Sequence, residues 1–198
     1  MKRLSLYLFL VLFTLQTPSL ADDIRDFQIE GISIGDSLLD YFSEEEINEK
    51  KGYYPSKKYF KVSLIPPNSN LFERVQFHIK SNDDKYIIDS ISGLIFFTEK
   101  KNGLNACLKT REKILEEISS TLSSTTKSKP EIKKLEQDKT GNSTTNTIYF
   151  DFSSGDYIKI GCVIYGTEYY ELKGWFDHLR LAFIIKEFDY WLRHEAFK

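Results

Sequence analysis

Two stretches of this chain alternate apolar and polar residues on either side of a short polar turn, and that pattern limits the fold more than any other feature. In the first, Val75, Phe77 and Ile79 alternate with Arg74, Gln76, His78 and Lys80 before the turn Ser81-Asn82-Asp83-Asp84. In the second, Ile148, Phe150 and Phe152 lead to Ser153-Ser154-Gly155-Asp156, and Ile158, Ile160, Cys162 and Ile164 return. A period of two means strands with one face buried and one wet, which is the signature of an antiparallel sheet packed on one side. On this pattern His78 is a surface residue.

Further strands are expected over 59–65, stopped by Pro66-Pro67, over 86–97, with Gly93 marking a bulge, and over 179–185. Phe27, Ile29, Ile32 and Ile34 read as one short kinked strand relieved at Gly31 and Gly35. Helices are expected after Ser37, after Ser43 with three glutamates in its first turn, and at the C-terminus around Phe188 and Trp191. The longest helix is expected over 105–122, where Leu104, Leu108, Leu115, Ile118 and Leu122 form one stripe. The order helix then three strands occurs twice, over 36–97 and 105–185. The expected architecture is α+β, an antiparallel sheet with helices on one face, compatible with two tandem helix-plus-three-strand units. Between them 119–147 is rich in Ser, Thr and Lys and reads as a mobile loop with a short helix over 131–137.

The chain begins with a secretory layout. Lys2 and Arg3 precede an apolar run over 4–15, Pro18 follows, and Ser19-Leu20-Ala21 offers small residues for cleavage before Asp22. Residues 1–21 are therefore expected to be a signal peptide and 22–198 a single domain, periplasmic or secreted, with no transmembrane segment left after cleavage. In an oxidising compartment Cys107 and Cys162 are expected to pair, because Cys162 lies on the core face of its strand and Cys107 beside the helix stripe. The chain-entropy relation gives such a link about 4 kcal/mol.

Three segments, DDIRDFQIEGISIGDSLLDYFSEEEI (22–47), YIIDSISGLIFF (86–97) and KEFDYWL (186–192), resemble a group of small exported proteins of marine bacteria. That resemblance implies an exported, single-domain protein and no particular activity, cofactor or site. The stretch 31–42 is also similar to the strand–Gly–helix opening of beta-lactamase-inhibitor-like periplasmic modules, which implies a binding role at the level of fold.

With 27 Lys plus Arg against 29 Asp plus Glu, the chain lacks the basic surface that nucleic acid requires. No GxSxG, HExxH, phosphate-loop or dinucleotide motif is present, so no cofactor, metal or catalytic residue is indicated. The segment carrying the most chemistry is a connection expected to be a loop: Tyr169, Tyr170, Trp175, Phe176, Asp177 and His178. Its aromatics can form a stacking platform for a glycan or a partner protein, or fold back over the sheet edge. The reading is a non-catalytic binding module of the cell envelope. The alternative is a periplasmic hydrolase with an unrecognised site, whose carboxylates and His178 meet only in three dimensions; locally, Asp177 beside His178 could orient the imidazole as a general base.

Overall fold

Two antiparallel meanders meet on their last strands to make one sheet. The computed structural model describes residues 22–98, 103–122 and 125–198. The expected signal peptide over 1–21 lies outside the described residues. The first meander is β4 (Tyr59–Leu64), β5 (Arg74–Lys80) and β6 (Ile88–Phe97); the second is β9 (Thr144–Asp151), β10 (Tyr157–Ile164) and β11 (Asp177–Ile184). They join antiparallel through β6 and β11, with Leu94 opposite Arg180 and Phe96 opposite His178. Short strands finish the edges, β3 (Gly52–Tyr53) on β4, and β7 (Thr126–Lys127) and β8 (Glu131–Lys134) on β9. The class is α+β, as the alternation implies, and the mirrored order of the meanders matches the twofold repeat of helix and strands.

The inner face carries the main core. Val75, Phe77, Ile79, Ile158, Ile160 and Cys162 are each fully shielded there. Over them lies α2 (Gly103–Thr121), which buries Cys107, Arg111, Ile114, Leu115 and Ile118 and leaves Leu104 exposed. The helix is rotated from the expected stripe onto the Cys107 side. Cys107 and Cys162 are disulfide-bonded, their Cα atoms 5.9 Å apart. Arg111 is tolerated inside because its Nη1 donates to the side-chain oxygen of Asn146 at 2.7 Å.

α1 (Glu44–Lys50), packed on β4, starts at Ser43, whose side chain accepts from Glu46 N while the Glu46 carboxylate accepts from Ser43 N. The segment expected as one kinked strand is a tiny hairpin, β1 (Gln28–Ile29) and β2 (Ile32–Ser33). Glu30 and Gly31 both take positive φ between the strands. Glu30 serves that tight turn because its carboxylate caps the backbone amides of Asn70, Leu71 and Phe72.

Three further expectations are corrected. The bulge falls at Asp89, since Ile79 pairs with Ile88 and His78 with Ser90, and Gly93 stays in register. The stretch 119–147 contains β7 and β8, so Glu131–Lys134 is strand and not helix. Its tip is also tied down: Asp138 accepts from Thr140 and Ser143 through both carboxylate oxygens, and Ser143 is fully buried. Burial pushes the Asp138 pKa up, but the Ser143 and Thr140 hydrogen bonds outweigh it and hold the group at about 2.

Finally, His78 is buried. The C-terminal α4 (Lys186–His194) crosses the outer face and builds a second core from Tyr59, Phe188, Trp191 and Ala196. Phe188 lies 4.5 Å from the His78 ring, and Tyr54 Oη sits 3.0 Å from its Nε2. Helices thus cover the expected inner face, and α4 adds a cover on the other side. Burial, helped by the charges of Arg180 and Lys61, drives the His78 pKa down to about 3.

Candidate functional site

The segment expected as an aromatic loop is a helix, a tight turn and a strand start. α3 (Thr167–Lys173) begins where Gly166 N donates to Ser143 Oγ at 2.9 Å, so the turn closed by the buried Asp138 and Ser143 anchors it. It ends at Gly174, whose left-handed φ of 66° lets its N–H donate to Tyr170 O at 2.7 Å. Trp175 and Phe176 leave this turn 47% and 39% exposed.

The tyrosines of α3 support them. Tyr169 is buried, stacked on Tyr165 with centroids 5.9 Å apart and edge-on to Trp175 at 5.8 Å. Tyr170 meets Phe176 edge-on at 5.8 Å. Tyr169 is thus folded back into the core, while Trp175 and Phe176 stand out.

Strand alternation separates Asp177 from His178. Asp177 turns inward, where its Oδ1 accepts from Tyr165 N at 2.8 Å. Its Oδ2 lies against the start of α2, and a Cβ added to Gly103 would sit 2.7 Å from it. A carboxylate there is favoured by the helix dipole. His178 turns outward, with Nδ1 3.0 Å from the Phe176 carbonyl. A carbonyl only accepts, so Nδ1 carries the proton and Nε2 of the neutral ring is left as an acceptor. Burial lowers the His178 pKa to about 4; the hydrogen bond to Phe176 opposes this and the Arg180 charge adds to it.

Between Trp175–Phe176 and the outer face lies a cavity of about 620 Å³, within the roughly 300–1,000 Å³ range of small-molecule sites. Its aromatic walls are Trp175, Phe176, Tyr165 and Phe96. Arg74, Arg180 and Glu73 bring charge to it. Of the six residues singled out from the sequence, Trp175, Phe176 and His178 line this cavity, while Tyr169, Tyr170 and Asp177 brace the segment that forms it. Arg74, Arg180, Phe96 and Tyr165 complete the site and were not singled out.

The two arginines flank Leu94 in one row across β5, β6 and β11. Glu73 is engaged, its Oε1 accepting from Phe96 N at 2.9 Å. Arg180 is half-buried, its Nε is shielded without a hydrogen-bond partner, and none of the described carboxylates pairs with it. Burial pulls its pKa below the usual guanidinium value. Among the described residues no cluster of three His, Cys, Asp or Glu could hold a metal, and no helix is long and apolar enough to cross a membrane.

The cavity thus brings together aromatic walls, two arginines and a neutral imidazole whose Nε2 can accept a hydrogen bond. No family model, curated protein or solved structure matches this chain.

Proposed function

We propose that the protein is an exported, non-catalytic binding module of the cell envelope that receives its ligand, part of an envelope glycan or protein, in the cavity under Trp175 and Phe176. The observation that carries this reading is the cavity itself, where aromatic side chains converge with two arginines over a braced strand start. The secretory layout of residues 1–21 and the disulfide between α2 and β10 support a periplasmic or secreted location. A general base built from Asp177 and His178 is not supported, because the two face opposite sides of the sheet and Asp177 is engaged by Tyr165 N.

The two tryptophans supply the test, since Trp191 is fully buried and Trp175 is exposed at the cavity. Fractionated envelope glycans and envelope proteins are titrated while intrinsic fluorescence is followed. At least one fraction is expected to shift the emission of the wild type and not of Trp175→Phe. If no fraction alters Trp175 emission and none co-purifies with the protein, the proposal is wrong.

A further inference from the structure

Arg180 is a half-buried cation whose Nε is shielded without a hydrogen-bond partner, where the ordinary companion is a carboxylate or a set of carbonyl acceptors. Its strand neighbours supply neither: Leu94 lies opposite on β6 and Gly161 opposite on β10. The nearby polar groups are the phenols of Tyr54 and Tyr165, whose own pKa values are raised by burial and lowered by the arginine. Glu73, among the described residues the one carboxylate lining the same cavity, accepts the Phe96 amide at Oε1 and forms no ion pair with Arg180, so it offsets only one of the two arginine charges. His78 and His178, the buried imidazoles on this face, are both held neutral and add no positive charge of their own. Arg74 adds a second cation at the rim. The cavity thus combines excess positive charge with walls too apolar to bind a small hydrated ion by themselves.

We infer that the ligand carries a carboxylate received by the Arg180 guanidinium, on a ring-shaped body held between Trp175, Phe176 and Phe96. The planar fork of arginine matches a carboxylate in two parallel hydrogen bonds, and ring faces stack on the aromatic walls. His178 Nε2, an acceptor, suits a ring that also bears a hydroxyl. This inference rests on the binding role of the cavity proposed above and names the chemistry it selects. A free aryl acid and the uronate end of a glycan share that chemistry.

The test is a calorimetric titration of the purified protein with benzoate and D-glucuronate, with the methyl ester of each, and with inorganic phosphate. At least one acid is expected to bind, its ester about tenfold or more weaker, since a charge-assisted pair is lost. Tighter benzoate binding identifies an aryl-acid site, and tighter glucuronate binding a sugar-acid site. Arg180→Met is expected to weaken the acid by about tenfold or more while the denaturation midpoint stays level or rises, because a half-buried guanidinium without a carboxylate partner has been removed. A merely structural arginine would lower the midpoint instead. Should Arg180→Met fail to fold, Arg180→Lys retains the charge without the fork and is expected to weaken the acid while leaving its preference over the ester.

Equal binding of acid and ester, or phosphate binding as tight as either acid, overturns the carboxylate assignment. The cavity reading survives that outcome if binding still depends on Trp175. If neither acid binds, the inference falls, and the envelope-fraction titration decides separately whether the cavity binds anything.

Discussion

The Phe72 ring fills the space beside Gly93 that a side chain would need: a Cβ there would lie 2.4 Å from Phe72 Cδ1. Gly93 is fully in register on β6, so its glycine is explained by this close approach and not by a bulge. Gly93→Ala is expected to destabilise the protein by about 1–3 kcal/mol through overpacking. Phe72→Leu added to Gly93→Ala should recover part of that loss. Urea denaturation of the two single variants and the double variant measures the coupling, and strict additivity would show that the two residues do not compete for space.

The disulfide holds α2 to β10, both sulfurs buried in the main core. Replacing both cysteines by alanine is expected to cost about 2–4 kcal/mol, chiefly by releasing the unfolded chain. The comparison is the urea midpoint of the variant against wild type. In the unreduced wild type, thiol titration after denaturation should find no free sulfhydryl.

Acid should weaken the fold before the carboxylates titrate. His78 and His178 have folded pKa values depressed to about 3 and about 4, against an ordinary value near 6.5. As pH falls below about 6.5 the unfolded chain binds protons that the folded chain refuses, so stability drops until the folded values are reached. At about pH 5 each histidine is expected to have removed up to about 2 kcal/mol. Asp138, lowered to about 2, loses its contribution only at lower pH. Asp89, raised by burial, opposes the loss in part. The denaturation midpoint at about pH 5 and about pH 7.5 for wild type, His78→Gln and His178→Gln reads this, with a flatter profile expected in each variant.

Trp191 and Trp175 should separate stability from binding. Trp191 is fully buried, 4.5 Å from Tyr59 between ring centroids, and its Nε1 donates to Ser56 Oγ at 3.1 Å. Trp191→Ala is expected to cost about 3–5 kcal/mol. Trp175→Ala, at an exposed position, is expected to cost about 1 kcal/mol or less and to abolish ligand-induced change at the cavity. Thermal melts and the binding titration on both variants check the division.

The alternation in 74–80 and 148–164 was enough to read both hairpins, and Cys162 on the inward register pointed to its partner on the long helix. What the chain does not display locally is which strands become neighbours. Nothing near Arg180 tells that β11 lies against β6, so its alignment with Leu94 and Arg74 stayed hidden although each strand was recognised. His78 was misread for the same reason. Its strand alternates as a half-wet strand should, and only the return of Phe188 on the C-terminal helix removes the water. The Ser/Thr-rich stretch misled by composition: its polar side chains are engaged around Asp138, and its short strands borrow their hydrogen bonds from β9. Trp175 and Phe176 were visible as unplaced aromatics, but the cavity needed Phe96 from the other half of the chain.

The junction of the two meanders also sets an order of events. Both strands of the central β6–β11 seam close their own meanders, so a chain emerging from its N-terminus completes β6 long before β11 exists. Until then Leu94, Ile95 and their neighbours present a long open edge, the kind that templates pairing with another chain. The disulfide gives no protection at that stage, because both its cysteines belong to the later half. A first half folded without the second would therefore leave this edge unpaired until β11 closes it.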